Sequence, residues 1–480
     1  MINSVSFNVC QHELRLKLKN NSLWLLFALM QLLLAVALWT SWQQYQHSQQ
    51  LQHTSQAMVE EQWNAQPDRH PHRVAHFGHF AFRPPSALSY FDVGVNSWVG
   101  HSVFLEAHKQ NSANFASDSH GSTLLRFSEL SVANLLLLVW PLLLIVMAFS
   151  SISGERQAGT LKQLISIGVQ FKHILIGKGF AYWLLSMGFL VPVFVATILV
   201  ALAGDTAFTS DVLTRIALLF MSYALYCLFW VVLILVCSCL TSAPKQSLNV
   251  LITIWFVLTI LTPRAVADIA EHLYPHKNAN DLALAVKLDV RKVGNSHNPD
   301  DPHFNSFKQS VLAQYGVSDV ADLPINYRGL VMQEGERITA EIYQRHADTQ
   351  LAQFAAQQAF VARFYWLNPY LAIRDFSMAV SASDQRHFFD FERQAEQHRY
   401  ERTQQLNKLH TEEVHFHNDR DQRVSASFWQ QFSAFEYTNP TLGWSLQGLW
   451  LAVLAPLLSL IVLIFVLARG PLQRKAVVYA

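Results

Sequence analysis

The sequence predicts an all-α integral membrane protein, in which six transmembrane helices carry a mainly helical periplasmic domain built from two insertions. Only 14% of the 480 residues are charged and 51% are hydrophobic, whereas a soluble globular protein carries about 25% charged residues. Six apolar stretches are long enough to cross a bilayer core of roughly 30 Å as helices. The net charge of +1 gives no general attraction to phosphates. These properties exclude a plain cytosolic enzyme, a disordered chain and a basic nucleic-acid-binding protein.

The six spans differ in length. The fifth is the shortest, because Lys245 and Arg264 limit it to the uncharged residues 246–263. No small-residue cleavage site follows the first, so we interpret it as an uncleaved span and not as a signal peptide. The predicted spans are Leu23–Trp42, Val132–Ser150, Gly179–Gly204, Ile216–Ser242, Leu248–Pro263 and Trp444–Ala468.

Basic residues predict the orientation of the spans. Both termini lie on one side, and the segments on that side hold eleven basic residues against two acidic ones, Glu13 and Glu155. Cytoplasmic segments carry an excess of Lys and Arg, so we predict that both termini are cytoplasmic. The basic residues are Arg15, Lys17, Lys19, Arg156, Lys162, Lys172, Lys178, Lys245, Arg469, Arg474 and Lys475.

This topology divides the rest of the chain into cytoplasmic and periplasmic parts. The cytoplasmic parts are an N-terminal interfacial segment at 1–22, a loop region at 151–178 and a tail at 469–480. The periplasmic insertions are 43–131 and 264–443. Neither insertion contains cysteine, so the periplasmic domain must fold through packing without disulfides.

Composition predicts the elements of the insertions. Residues 43–66 are rich in Gln and continue the first span as a polar helix. The stretch 73–90 contains Pro84 and Pro85 and is predicted to be irregular. Long helices are predicted at 304–315, 335–365 and 388–412, which have few Gly or Pro residues.

The loop between the second and third spans has the most informative pattern. Leu161, Leu164, Ile165 and Gly168 follow a spacing of i, i+3, i+4 and i+7, which predicts a short amphipathic helix at the cytosolic surface. Glu155, at its start, complements the positive end of the helix dipole. An ordinary interfacial linker helix would have the same pattern.

The string Glu-Arg-x-x-Gly-Thr-Leu-x-x-Leu at 155–164, followed by Gly177 and Lys178, resembles the signature of type-2 permeases of ABC transporters (the ABC-2 type). In that family this helix is the coupling helix, which sits in a cleft on the ATP-binding subunit. By the same resemblance, residues 10–19 form an interfacial connecting helix, although a positively charged anchor explains their pattern equally well. The resemblance implies six ATPase-coupling residues: Glu155, Arg156, Gly159, Thr160, Leu161 and Leu164.

The whole chain is similar to one subfamily of these permeases, which has a large periplasmic domain of unknown function. The resemblance implies an ABC ATP-binding subunit and a second permease, either a copy of this chain or a related one, in a Gram-negative inner membrane. It implies no cofactor. The residues that carry it are Phe77–Phe80, Arg83–Pro84, Gly100–His108, Asn368–Pro369, Ser383–Phe388, Phe391, Glu396 and Arg399.

The absence of several motifs from the sequence excludes some classes of function. The chain has no Gly-x4-Gly-Lys-Ser/Thr phosphate loop, so we predict no enzyme activity here and an ATPase on a separate subunit. It also lacks a His-Glu-x-x-His motif and a Gly-x-Ser-x-Gly elbow. None of the predicted spans has Asp or Glu in its core, whereas a proton-driven transporter usually needs such a residue.

Histidine is concentrated on the predicted periplasmic side. The tightest group is His70, His72, His76 and His79, and neutral imidazoles suit Zn²⁺, Cu²⁺ or Ni²⁺. Asp68 is the only acidic residue near them, and the segment has no predicted regular structure. We therefore interpret these residues as surface histidines and assign no metal ligand, here or at the weaker pair His415 and His417.

The predicted function is the membrane-spanning permease subunit of an exporter-like ABC transporter. The alternative is a sensor or scaffold that transmits movement to its periplasmic domain without transporting a substrate. Polar residues lining the spans would favour transport, but they are few and do not decide between the two. They are Asn134, Ser222, Ser238 and Asn249.

Overall fold

The computed structural model describes residues 4–111, 130–204, 208–294 and 301–469. Six of its helices are long and apolar enough to cross a bilayer, which confirms the predicted fold class. Residues 470–480 of the predicted tail lie outside this description.

The N-terminal part forms two helices. Helix α1 is Ser4–Leu18, and α2 is Asn21–Asn64. At 1.5 Å per residue, the 44 residues of α2 reach about 66 Å, roughly twice the thickness of the bilayer core. The predicted polar continuation of the first span is therefore correct: one helix leaves the membrane without a break.

The first insertion contains regular structure that the sequence did not predict. Helix α3 is Pro71–Ala75, and strands β1 (His79–Phe82) and β2 (Ser102–Leu105) form an antiparallel pair. The stretch 73–90 was predicted to be irregular, and this is wrong over α3 and β1. Four-residue strands beside two prolines carry too little alternation to be recognised, and they are stabilised by packing on a distant helix.

The membrane part continues through α4 to α9. Helix α4 covers 132–148 and contains a π-helical turn at Leu135–Val139. About 78% of the most apolar stretch of α8 is buried, against 17% for α9, so α8 is central and α9 is peripheral. The other helices are α5 (Ser153–Gln157), α6 (Thr160–Ser166), α7 (Phe171–Ala203), α8 (Ser210–Leu240) and α9 (Pro244–Leu273).

The second insertion is helical, as predicted. We call it, together with the described residues of 43–131, the extramembrane domain. The three predicted long helices are present as α11, α12 and α14. The helices of this insertion are α10 (Ala279–Val293), α11 (Pro302–Tyr315), α12 (Tyr327–Ala362), α13 (Pro369–Val380) and α14 (Gln385–Glu413). They are followed by the short helix α15 (Leu442–Ser445) and by α16 (Trp450–Ala468), which is the sixth span.

Several boundaries differ from the predicted spans; for example, α7 begins at Phe171 and not at Gly179, and α8 begins at Ser210 and not at Ile216. Helix α9 continues ten residues beyond the predicted end at Pro263, because its polar last turns pack on α12 of the extramembrane domain. The last helix begins at Trp450 and not at Trp444, because Gly448 adopts a left-handed conformation with a φ of +79° that separates α15 from α16.

Helix α13 joins the extramembrane domain to the spans. Leu371, Ile373 and Phe376 belong to the same buried apolar cluster as residues of α4, α7 and α8. The Tyr223 hydroxyl of α8 and the Ser377 hydroxyl are hydrogen-bonded at 3.0 Å. Helix α13 is therefore a packed, hydrogen-bonded contact between the domain and the spans.

Candidate functional site

The predicted amphipathic helix at 155–168 is two short helices. Gly159 separates α5 from α6 and has a φ of +76°, a backbone conformation that glycine adopts without steric cost. Apart from its two neighbours in the chain, no described residue has an atom within 4 Å of the position that a Cβ would occupy there. The expectation of one continuous helix with Gly159 in its interior is therefore wrong, and Gly159 forms an open turn.

Arg156 anchors α5 to the end of α8. Its side chain is buried, and its guanidinium donates hydrogen bonds to the carbonyl oxygens of Cys239, at 3.0 Å, and Thr241. These carbonyls belong to the last turn of α8, where no helical N–H group remains to pair with them. Arg156 thus acts within the chain, as a C-terminal cap for α8.

A serine also connects the two segments. Ser238 of α8 accepts hydrogen bonds from the backbone N–H groups of Ile152 (3.1 Å) and Ser153 (3.0 Å). Its hydroxyl donates to the carbonyl oxygen of Phe149 at 3.0 Å. The start of α5 is therefore hydrogen-bonded to α8 as well as capped by it.

Lys178 of α7 lies at the centre of a buried charge cluster. Its Nζ is 2.7 Å from Glu13 Oε2 and 2.8 Å from Glu155 Oε1. The Tyr182 hydroxyl donates to Glu13 Oε1 at 2.5 Å. Lys178 is 4% exposed, so its ammonium group attracts both carboxylates with little screening by water. We call Glu13, Glu155, Lys178 and Tyr182 the charge cluster.

The cluster fixes the ionised state of Glu13. Burial alone would raise the pKa of Glu13, but the ammonium group of Lys178 and the hydroxyl of Tyr182 outweigh burial and lower the pKa below its usual value. Glu13 was not singled out from the sequence as a site residue. Its only signal was that it is the single acidic residue of a basic N-terminal segment.

Gly177 explains why α1 approaches α7 so closely. A Cβ at this position would lie 2.6 Å from the carbonyl oxygen of Ser6 and 2.7 Å from the Cβ of Val9. Any side chain larger than hydrogen would push α1 away from the spans. The Gly177-Lys178 pair therefore has two roles: glycine allows contact and lysine supplies the charge.

The outer face of α5 and α6 is free of these internal contacts. Leu161 is fully buried, and Leu164 and Ile165 are half-buried against the apolar core. Ile167 is 77% exposed and is the largest apolar side chain on this face. We call the exposed residues the loop surface: Gln157, Ala158, Thr160, Lys162, Gln163, Ser166 and Ile167.

The six residues predicted to couple to an ATPase fall into two groups. Arg156 and Leu161 are buried inside the chain, and Glu155 pairs with Lys178. Thr160 is exposed on the loop surface, while Gly159 and Leu164 are partly exposed. The predicted string thus contains a part that builds the loop and a part that faces outward.

Comparison with known proteins supports the resemblance noted in the sequence. Residues 104–262 match the model of the ABC-2 family transporter protein, a region that includes α4 to α8 and most of α9. Residues 283–438 match a domain of unknown function (DUF3526), which covers most of the second insertion. A search of curated proteins gave no match. The two family matches confirm a transporter-type membrane region that carries a large additional domain.

Proposed function

We propose that this chain, a member of the ABC-2 transporter family, is the permease subunit of an exporter-like ABC transporter driven by a separate ATP-binding subunit. The observation that carries the proposal is the charge cluster. Through it and through Arg156, α5 is bound at once to α1, α7 and α8. A push on the loop surface would therefore move three helices as one body, as rigid-body rocking of a permease requires.

The partners follow from surfaces that the chain leaves uncovered. The ATP-binding subunit would contact the loop surface, and Ile167 would be its apolar anchor. Helices α9 and α16 are only 17% and 22% buried over their most apolar stretches. We infer that lipid and a second permease, a copy or a related chain, cover these faces.

The loop surface gives a direct test of the ATPase contact. Ile167→Asp should reduce co-purification of the ATP-binding subunit by at least tenfold, because it replaces an apolar anchor with a charge that has no partner. The measurement is the ratio of ATPase to permease after affinity purification from cells that express both.

The control is Leu51→Asp, which introduces the same charge at a residue of α2 that is 58% exposed and lies in the extramembrane domain. It should leave the ratio unchanged. Full recovery of the ATPase with Ile167→Asp would show that the loop surface is not the docking site.

The proposed location is the inner membrane of a Gram-negative bacterium, with both termini cytoplasmic. The basic residues of the segments before α2 and between α4 and α7 support this orientation. It places the loop surface in the cytoplasm, where ATP is available, and the extramembrane domain in the periplasm.

Cysteine labelling tests the orientation. All four native cysteines are buried, so the background is low. A membrane-impermeant maleimide should label Gln309→Cys in intact spheroplasts, because Gln309 is an exposed residue of α11. It should label Lys162→Cys only after lysis, because that residue lies on the loop surface. The opposite pattern would overturn the topology.

One observation favours the alternative in which the complex transmits movement and transports nothing. Two of the polar residues in the spans, Ser222 and Ser238, are buried and donate hydrogen bonds to carbonyl oxygens of the chain itself. They are therefore not available to line a path. Because α13 packs directly on the spans, movement of the spans would reach the periplasmic domain in either case.

A further inference from the structure

The four histidines that are close in the sequence fall into different groups in the structure. His72 lies in α3 and His76 is the C-terminal cap residue of that helix, an i, i+4 spacing that places both on one face. His108, which follows β2, joins them. The ring centroids are 4.6 Å apart for His72 and His76, 5.3 Å for His76 and His108, and 5.9 Å for His72 and His108.

The three side chains converge as metal ligands do. Each offers one nitrogen, and the three nitrogens lie within 4.8 Å of one another. In a tetrahedral zinc site with Zn–N bonds of 2.0–2.1 Å, ligand nitrogens are about 3.3 Å apart. Side-chain rotation can close this difference, because His76 is exposed and its ring is not enclosed.

A buried carboxylate orients one of these rings. Glu336 of α12 is 0% exposed. Its Oε2 lies 3.1 Å from His108 Nδ1 and accepts a hydrogen bond from the His108 backbone N–H at 3.0 Å. Its other oxygen is 2.6 Å from Arg399 Nη1. A carboxylate on one ring nitrogen is the usual support of a metal-binding histidine, because it holds a proton there and leaves the lone pair of Nε2 for the metal.

The backbone of His108 has an unusual conformation, which the contact with Glu336 stabilises. Its φ is +63°, in the left-handed region that residues other than glycine rarely adopt. The hydrogen bond from its N–H group to Glu336 stabilises that conformation. Such a conformation persists where surrounding contacts determine it, and it is common at ligand sites.

His72 is also suited to bind a cation. Its Nδ1 is buried and has no hydrogen-bond partner among the described residues. The ring lies next to the imidazoles of His76 and His108, and this Nδ1 is therefore open to a ligand.

In a second group of possible ligands, the carboxylate is already occupied by other hydrogen-bond donors. His70, His410 and Asp419 also lie close together. Asp419, however, accepts hydrogen bonds from His410 (2.7 Å), Asn326 (2.8 Å) and Arg328 (2.9 Å). His79, the last of the closely spaced histidines, lies elsewhere, beside His398. The spacing in the sequence thus groups residues that do not act together.

We propose that His72, His76 and His108 form a binding site for a divalent transition-metal ion of the Zn²⁺ class. Three neutral nitrogen ligands select Zn²⁺, Cu²⁺ or Ni²⁺ over Mg²⁺ and Ca²⁺, which prefer oxygen. Three protein ligands leave a fourth position for water, and the exposure of His76 gives that position access to solvent. The ligands come from the first insertion and the supporting Glu336 from the second, so the ion would link the two.

Zinc binding to the full-length protein tests the proposal. The protein, in detergent and with its affinity tag removed, would be stripped with EDTA, dialysed and titrated with Zn²⁺ in a calorimeter. We expect one tight site per chain that Mg²⁺ does not compete for. His72→Ala, His76→Ala and His108→Ala should each abolish it, and Glu336→Gln should weaken it about 10–100-fold.

Two control variants make the result specific. His417→Ala removes an exposed histidine of the same domain, and His410→Ala removes one of the second group. Both should bind Zn²⁺ as the unaltered protein does. The proposal fails if the unaltered protein has no tight site, if the three histidine variants retain it, or if His410→Ala abolishes it. Hydrogen exchange of α12 and α14 would show whether each variant remains folded, and Glu336→Gln keeps the shape of the side chain it replaces.

Discussion

Lys178→Met should detach α1 from the spans and strongly reduce the amount of folded protein in the membrane. The substitution leaves Glu13, which is 6% exposed, without its cation, and Glu155 loses the same partner. Removing one member of a buried ion pair typically costs about 3–5 kcal/mol, since the remaining charge stays buried and uncompensated. That is a large part of the total stability of a domain.

The measurement is hydrogen exchange of α1 together with the thermal midpoint of the purified protein. We expect the amides of α1 to lose their protection and the midpoint to fall. Protein that survives should show no stimulated ATP hydrolysis with its partner, because α5 has lost its connection to α7. Unchanged protection of α1 would contradict the role given to the charge cluster.

Two variants control this experiment. Lys172→Met removes a lysine from the same helix, but Lys172 is exposed, so the change should have little effect. Glu13→Gln combined with Lys178→Met removes the uncompensated carboxylate and should restore part of the lost stability. If the double variant is no more stable than Lys178→Met alone, the buried, unpaired charge of Glu13 is not the cause of the lost stability.

Arg399→Met should unfold the part of the extramembrane domain in which the two insertions meet. Arg399 is 2% exposed and lies between Glu336 and Glu396, at 2.6 Å and 2.8 Å. Without it, Glu336 remains in a fully buried position beside His108, without the guanidinium that balances its charge. We expect a loss of about 3–5 kcal/mol, seen as faster hydrogen exchange in α12 and α14 in the presence of a chelator.

The matched control is Arg393→Met on the same helix. Arg393 pairs with Asp390, but its side chain is 61% exposed, and an exposed pair of this kind contributes at most about 1 kcal/mol. Hydrogen exchange of Arg393→Met should resemble that of the unaltered protein. Equal effects of the two variants would show that burial of the Arg399 pair is not what stabilises the domain.

The amino-acid sequence was sufficient to predict the features that depend on residues close together in the chain. Apolar stretches located six spans, and low Gly and Pro content located α11, α12 and α14. Such predictions succeed because hydrophobicity and helix propensity add up along a single helix. The same reasoning failed at β1 and β2, whose pairing depends on residues about twenty positions apart.

For the loop between α4 and α7, the sequence identified the right segment but not its form. The apolar spacing predicted one helix, and the structure divides it at Gly159. The spacing placed Leu161 on the apolar face, and the structure buries it. The spacing could not show that Arg156 is buried at the end of α8, because that contact joins distant segments.

By itself, then, the sequence determined that this is a six-span membrane protein with a helical extramembrane domain, and which loop distinguishes it. Only the tertiary structure brought Glu13 to Lys178, 165 positions away, and His72 and His76 to His108. The physical reason is that an ion pair or a metal site needs groups within a few ångströms. Local composition sets the type of each helix, whereas packing alone sets which side chains meet.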